Sequence, residues 1–184
     1  MQNKLTFREI AAQFINPTVI GTGFIKKPYL LMPLLPIACF LFFGFQIMLE
    51  RFRAGANANA AAIPVVCALL GIACAFSTAA VMFAFSRLEK DTTSYKDFLV
   101  YSCTAFSGTA VYELLGLLLN LSSFTATSQN FGITGFIWLL IPFLAIARYI
   151  FEEKTYQMLL CVTCAGSVPM VMWGILTLYG GTGL

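Results

Sequence analysis

Residues 60–85 read AAAIPVVCALLGIACAFSTAAVMFAF, a run that contains no charged side chain. A helix of about 20 mostly apolar residues is long enough to cross the hydrocarbon core of a bilayer. Backbone groups in lipid must be hydrogen-bonded within the segment, which makes a helix the expected conformation. Four more stretches of this kind lie at residues 29–49, 98–121, 132–147 and 157–179. Together they predict an all-α, polytopic transmembrane helical bundle with five spans.

The composition supports the same class. Hydrophobic residues make up 59% of the 184 residues and charged residues only 10%, whereas about a quarter of the residues of a soluble domain are charged. Most of the surface should therefore face lipid. We expect a single membrane domain, residues 29–184, after an N-terminal segment, residues 1–28. No cleaved signal peptide is expected, because the first apolar run is too long for a signal sequence.

The positions of lysine and arginine predict the orientation. Nine of the eleven basic residues lie before the first span or in the second-to-third and fourth-to-fifth connections, and only Arg51 and Arg53 lie on the other side. Because cytoplasmic loops carry the excess of basic residues, the N-terminus should be cytoplasmic and the C-terminus extracytoplasmic. The net charge of +3 then reflects topology. No basic run has the density that nucleic-acid binding requires.

The N-terminal segment contains a predicted amphipathic helix at residues 6–15. Thr6 and Glu9 have the spacing of a capping box, in which each side chain satisfies a free backbone donor at the helix start. Phe7, Ile10 and Phe14 fall on one apolar face. Such a helix either lies flat on the cytoplasmic leaflet or packs against the cytoplasmic end of the bundle.

Glu113 is the one acid well inside a predicted span. An ionisable group there costs about 2.5–3.5 kcal/mol on insertion scales and is a functional candidate for that reason. Ala105 and Thr109 precede it at helical spacing, so its helix face should pack on protein. Arg51 and Arg53 are its candidate partners. The carboxyl group is either linked to proton or ion movement, or a buried, protonated or salt-bridged group that sets helix packing.

Small residues recur every four positions in the second span, at Cys67, Gly71, Ala75 and Ala79. Such a face allows two helices to approach closely, either within the chain or between two copies. The six cysteines all lie within spans, and the chain has no histidine. We therefore interpret the cysteines as small apolar side chains and expect no disulfide framework, metal or other cofactor.

Three stretches of the chain resemble the Yip family of five-span membrane proteins, which in eukaryotes bind Ypt/Rab GTPases. The first contains an F-x-x-I helix and a proline before the first span. The second has a Ser-Tyr-Lys signature at the entry to the third span, and the last forms a fourth-to-fifth hairpin. They are LTFREIAAQFINPTVIGTGFIKKPYLLMPLL (5–35), KDTTSYKDFLVYSCTAFSGTAVYELLGLLLNL (90–121) and FIWLLIPFLAIARYIFEEKTYQMLLCVTCAGSVPMVM (136–172).

The resemblance implies a prokaryotic inner-membrane member of this family. Family roles centre on membrane organisation, trafficking and association with other membrane proteins. The long hydrophilic N-terminal region and the D-L-Y-G-P type motif of eukaryotic members are missing, so Rab binding and Golgi residence are not implied. The resemblance transfers no catalytic residue.

The sequence lacks the motifs of common hydrolase and nucleotide-binding sites. We therefore predict a protein that is not an enzyme and that acts by interaction in the membrane, as a scaffold, an accessory subunit or a membrane-organising factor. Its expected partners are the lipid bilayer and other membrane proteins, or a second copy in a homodimer. The alternative is a small transporter or channel, dimeric or not, that couples flux to protons or ions through Glu113.

Overall fold

The computed structural model describes residues 33–55, 58–152 and 154–181, and these fold into five long helices. All five are long and apolar enough to cross a membrane, which confirms the predicted all-α, five-span bundle. The predicted N-terminal helix at residues 6–15 lies outside the described residues. The helices are α1 (Leu34–Arg53), α2 (Ile63–Leu88), α3 (Tyr95–Leu121), α4 (Thr127–Phe151) and α5 (Thr155–Gly181), with a short 3₁₀ turn (Ala58–Ala62) before α2.

Helices α3 and α4 begin earlier than the hydropathy pattern indicates, because polar side chains support their first turns. Helix α3 begins at Tyr95, where Ser94 Oγ accepts the Asp97 N–H at 3.3 Å and Asp97 Oδ2 accepts the Ser94 N–H at 3.2 Å. This is a capping box. Helix α4 begins at Thr127, five positions before the predicted span, and Glu50 of α1 accepts the Ser128 N–H at 3.0 Å. Without such a partner, the polar residues at the start of α4 would favour caps and turns over a helix.

Consecutive helices run antiparallel, and α3 lies at the centre of the bundle. Helix α3 packs against α1, α2 and α4, while α5 packs against α4 and α2. The bundle has two ends. We call the end with the connections 54–62 and 122–126 the Glu50 end, and the end with the connections 89–94 and 152–154 the Glu89 end. At the Glu89 end, Lys154 forms an ion pair with Glu89.

Aromatic side chains fill the middle of the bundle. The Phe40 ring lies 6.3 Å from the Phe106 ring and 5.8 Å from the Phe136 ring, measured between centroids. Phe43 and Phe136 in turn contact Trp173 at 6.4 and 6.5 Å. Tilted and edge-on pairs at these distances are favourable arrangements for aromatic rings. The cluster joins α1, α3, α4 and α5 in one apolar core.

The small-residue face of α2 packs inside the chain. Cys67, Gly71, Ala75 and Ala79 are all buried. A Cβ atom added at Gly71 would lie 2.6 Å from the Pro36 carbonyl oxygen of α1. Helix α3 contacts the same face, since Ser102 Oγ donates to the Ala75 carbonyl oxygen at 3.2 Å. These residues therefore allow α1 and α3 to approach α2 closely, as expected for small residues at a helix interface.

We predict that Gly71→Ala destabilises the protein by about 1–3 kcal/mol, the usual cost of adding a methyl group to a filled interface. The atom in the way belongs to the backbone of α1, so a side-chain rotation cannot relieve the contact. Thermal unfolding in detergent or lipid measures the effect.

Gly174→Ala is the matched control, because a Cβ atom there meets nothing within 4 Å. It should leave stability unchanged or raise it by about 0.5–1 kcal/mol, the advantage of alanine over glycine in a helix. Equal stability of the two variants would show that α1 and α2 are not in close contact at Gly71.

Candidate functional site

Glu113 is fully buried in α3, with 0% of its surface exposed. Its partner is Gln46 of α1, which is also fully buried. The Gln46 amide Nε2 donates to the Glu113 carboxyl oxygen Oε2 at 2.8 Å and to the Glu113 backbone carbonyl oxygen at 3.0 Å. The pair therefore ties α1 to α3 inside the part of the bundle that would lie in the membrane.

Two glycines leave room for the polar groups of this pair, because a side chain at either position would crowd them. A Cβ atom at Gly116 would lie 2.5 Å from Gln46 Oε1, and one at Gly135 of α4 would lie 3.3 Å from Glu113 Oε1. Helix α4 is held nearby, because Thr109 Oγ1 donates to the Gly135 carbonyl oxygen at 2.8 Å. The Glu113–Gln46 pair thus sits where α1, α3 and α4 meet.

One oxygen of each side chain lacks a hydrogen-bond partner. Glu113 Oε1 and Gln46 Oε1 are both buried and unpartnered. A buried polar group without a partner costs about 1–3 kcal/mol, more when the group is charged. Such groups in a folded protein call for an explanation, and one explanation is a small ligand or a catalytic or redox role.

Gln46 is the residue that the sequence analysis missed. In the sequence it is one polar residue in an apolar run, and nothing in the spacing relates it to Glu113. The parallel packing of α1 and α3 brings the two together. An uncharged polar residue within a predicted span was the available signal, since such residues hydrogen-bond across membrane helices.

The structure gives Arg53 other partners than the predicted Glu113. Its guanidinium donates to the backbone carbonyl oxygens of Asn120 and Phe124, at 3.2 Å in the case of Phe124. Asn120 lies seven residues beyond Glu113 in α3, about 10 Å along the helix. Arg53 is therefore held at the Glu50 end, and the prediction that it pairs with Glu113 is not confirmed. The pairing of Arg51 with Glu113 stays a prediction.

A second polar cluster, which the sequence analysis did not identify, surrounds Glu50 at the end of α1. Glu50 Oε1 accepts hydrogen bonds from Asn120 Nδ2 at 3.1 Å, Thr127 Oγ1 at 3.1 Å and the Ser128 N–H at 3.0 Å. Glu50 Oε2 accepts from Ser128 Oγ at 2.5 Å. The three partner residues are buried. One carboxylate thus joins α1 to α3 and caps the first turn of α4.

The two glutamates differ in what they can do chemically. Both oxygens of Glu50 are bound by donors from its neighbours, so its carboxylate is a structural acceptor. Glu113 is fully buried, and its Oε1 has no hydrogen-bond partner. Of the two, Glu113 is therefore the group with unused binding capacity.

We predict that Glu50→Ala destabilises the bundle by at least about 1–3 kcal/mol, because removing the carboxylate leaves several buried donors unsatisfied. Helix α4 should also start later, which circular dichroism and amide hydrogen exchange at residues 127–131 would detect.

Glu89→Gln is the control at the opposite end. Its partner Lys154 is 59% exposed, although the Glu89 side chain is only 13% exposed, and an ion pair that water reaches on one side contributes about 0–1 kcal/mol. A loss of stability as large as that of Glu50→Ala would contradict the different roles assigned to the two residues.

Comparisons with known proteins do not assign the chain to a family. No protein-family model matches it, and no curated protein and no solved structure matches it at a significant level. The function of the site therefore has to be inferred from its own side chains.

Proposed function

We propose that this multi-pass membrane protein is not an enzyme and acts through interactions within the bilayer, as a scaffold, an accessory subunit or a membrane-organising factor. The observation that carries the proposal is how the described side chains are distributed. The buried side chains of Gln46 and Asn120 and the partly buried Glu50 hydrogen-bond between helices. The outward faces of the helices carry large apolar side chains.

Two outward faces suit contact with lipid or with another membrane protein. On α2, Val65 is 61% exposed and Leu69 is 62% exposed. On α3, Leu115 and Leu118 are exposed by 46% and 52%. Within a membrane such faces associate by close packing, and the partner is either another membrane protein or a second copy of the chain.

The resemblance of residues 5–35, 90–121 and 136–172 to the Yip family supports this role. We propose on that basis a prokaryotic member in the cytoplasmic membrane. Its contribution would be to organise the membrane or to accompany other membrane proteins, without a bound cofactor.

Photo-crosslinking in native membranes tests the proposal. With a photoreactive amino acid at Leu69 or Leu118, we expect a defined protein adduct from at least one of the two faces. The same variants in vesicles of the purified protein are the control, because adducts formed there come from self-association. Adducts with lipid alone at both positions, in cells and in vesicles, would contradict an interaction role for these faces.

The second candidate is a small proton- or ion-linked transporter or channel. The unpartnered, buried Oε1 of Glu113 favours it, since intramembrane carboxyl groups mark proton and ion pathways. If Glu113 couples transport, Glu113→Gln should abolish proton- or ion-dependent flux in vesicles while leaving thermal stability nearly unchanged. Glu50→Gln is the matched control: when this variant is folded, it should retain flux. Flux that persists in Glu113→Gln, or no flux in the wild type, would argue against coupling.

We also propose that the N-terminus and the Glu89 end face the cytoplasm. The excess of basic residues near this end supports the orientation. A phosphatase fused to the C-terminus should be active outside the cytoplasm, whereas the same fusion in the connection 89–94 should be inactive. The reverse pattern would invert the proposed topology.

A further inference from the structure

We propose that Glu113 and Gln46 form an intramembrane proton-binding site, in which a proton on Glu113 Oε1 is donated to Gln46 Oε1. This inference concerns the ligand of the candidate site, and it depends on neither of the two proposed functions. It starts from the two oxygens that lack partners.

Half of an acid–amide pair is already formed. The Gln46 Nε2 group donates to Glu113 Oε2 at 2.8 Å. An ionised carboxylate is an acceptor only, and so is the amide oxygen, whereas a protonated carboxyl group carries one O–H donor. A single proton on Glu113 Oε1 therefore converts two unpartnered acceptors into a donor and its acceptor. The result is a ring of two hydrogen bonds between the carboxylic acid and the amide.

The burial of the pair favours the neutral form. Both side chains are 0% exposed, and an isolated carboxylate in an apolar medium loses far more solvation free energy than a neutral acid. Gln46 supplies hydrogen bonds but no compensating charge. A single proton neutralises the carboxylate and also provides the hydrogen bond that Glu113 Oε1 and Gln46 Oε1 lack.

The described surroundings suit a proton better than a metal ion. Hard cations such as Mg²⁺ and Ca²⁺ take six or more oxygen ligands. Among the described residues no group of three or more His, Cys, Asp or Glu side chains comes together. The nearby Thr109 hydroxyl donates its hydrogen to Gly135.

Few other groups that titrate or carry charge face the pair. Helix α1 brings the Cys39 thiol, which lies in the neighbourhood of Glu113 and of Cys74 of α2. Phe131 and Gly135 of α4 lie beside the pair, Trp173 of α5 lies beside Gly132 of α4, and none of these carries a titratable group. The remaining groups are Tyr112, which neighbours Glu113 in α3, and three charged residues one to two turns beyond Gln46 in α1: Glu50, Arg51 and Arg53.

The proton then holds α1 against α3. When Glu113 ionises, Glu113 Oε1 and Gln46 Oε1 are both acceptors without a donor, and a negative charge is buried beside them. This contact should weaken as the pH rises, because only the neutral acid completes the ring. The bundle would sense protonation at this position whether or not it transports anything.

Infrared spectroscopy of the protein in lipid vesicles tests the inference. At neutral pH we expect the carbonyl band of a protonated, hydrogen-bonded carboxylic acid. Glu113→Gln should remove this band, and Glu50→Gln, where it folds, should keep it. Gln46→Leu should keep an acid band but shift it to higher frequency, because the acid loses its amide partner. The absence of an acid band in the wild type, or an acid band whose frequency is the same in Gln46→Leu as in the wild type, would overturn the proposal.

Thermal unfolding gives an independent readout. An amide at position 113 can form the same two hydrogen bonds, so Glu113→Gln should unfold near the wild-type temperature, whereas Glu113→Leu should unfold at a lower one. Raising the pH should lower the unfolding temperature of the wild type more than that of Glu113→Gln. A Glu113→Gln variant that fails to fold would contradict the inference. If the wild type shows the acid band but no proton- or ion-dependent flux, the transporter proposal is wrong and the proton-binding site still stands.

Discussion

Polar side chains buried inside a membrane bundle have to find partners within the protein, because the lipid around them offers none. In this molecule that constraint falls on α3, the central helix, whose buried face carries Ser102, Thr109, Glu113 and Asn120. Each of them hydrogen-bonds to a neighbouring helix: Ser102 to α2, Thr109 to α4, Glu113 to α1, and Asn120 to α1 and α4. These contacts determine how α1, α2 and α4 are arranged around α3.

The two buried polar clusters on α1 show how position changes the role of the same carboxyl group. At the helix end, Glu50 has donors at both of its oxygens and works as a cap for α4. Deeper in the bundle, Glu113 has a single side-chain donor, Gln46, and one oxygen without a partner. The difference lies in the number of donors nearby. It explains why Glu113 keeps one oxygen without a hydrogen-bond partner, whereas both oxygens of Glu50 accept hydrogen bonds.

Apolar packing supports these hydrogen bonds without specifying them. The aromatic cluster around Phe43 and Phe136 fills the core at ring distances of 5.8 to 6.5 Å. Glycines at 71, 116 and 135 bring backbone or polar atoms close to neighbouring helices. In lipid, where apolar burial drives helix association only weakly, close packing of this kind and interhelical hydrogen bonds share the work.

The sequence by itself determined the membrane class, the five spans and the small-residue face of α2, because each follows from the composition or spacing of residues along one helix. It also singled out Glu113. Only the tertiary structure decided that Gln46 is the partner of Glu113, that Arg53 binds near Asn120, and that α4 begins at Thr127 under the carboxylate of Glu50. These contacts depend on which helix faces pack against each other. Helical periodicity identifies the buried face of one helix but not the face of the neighbouring helix that it contacts.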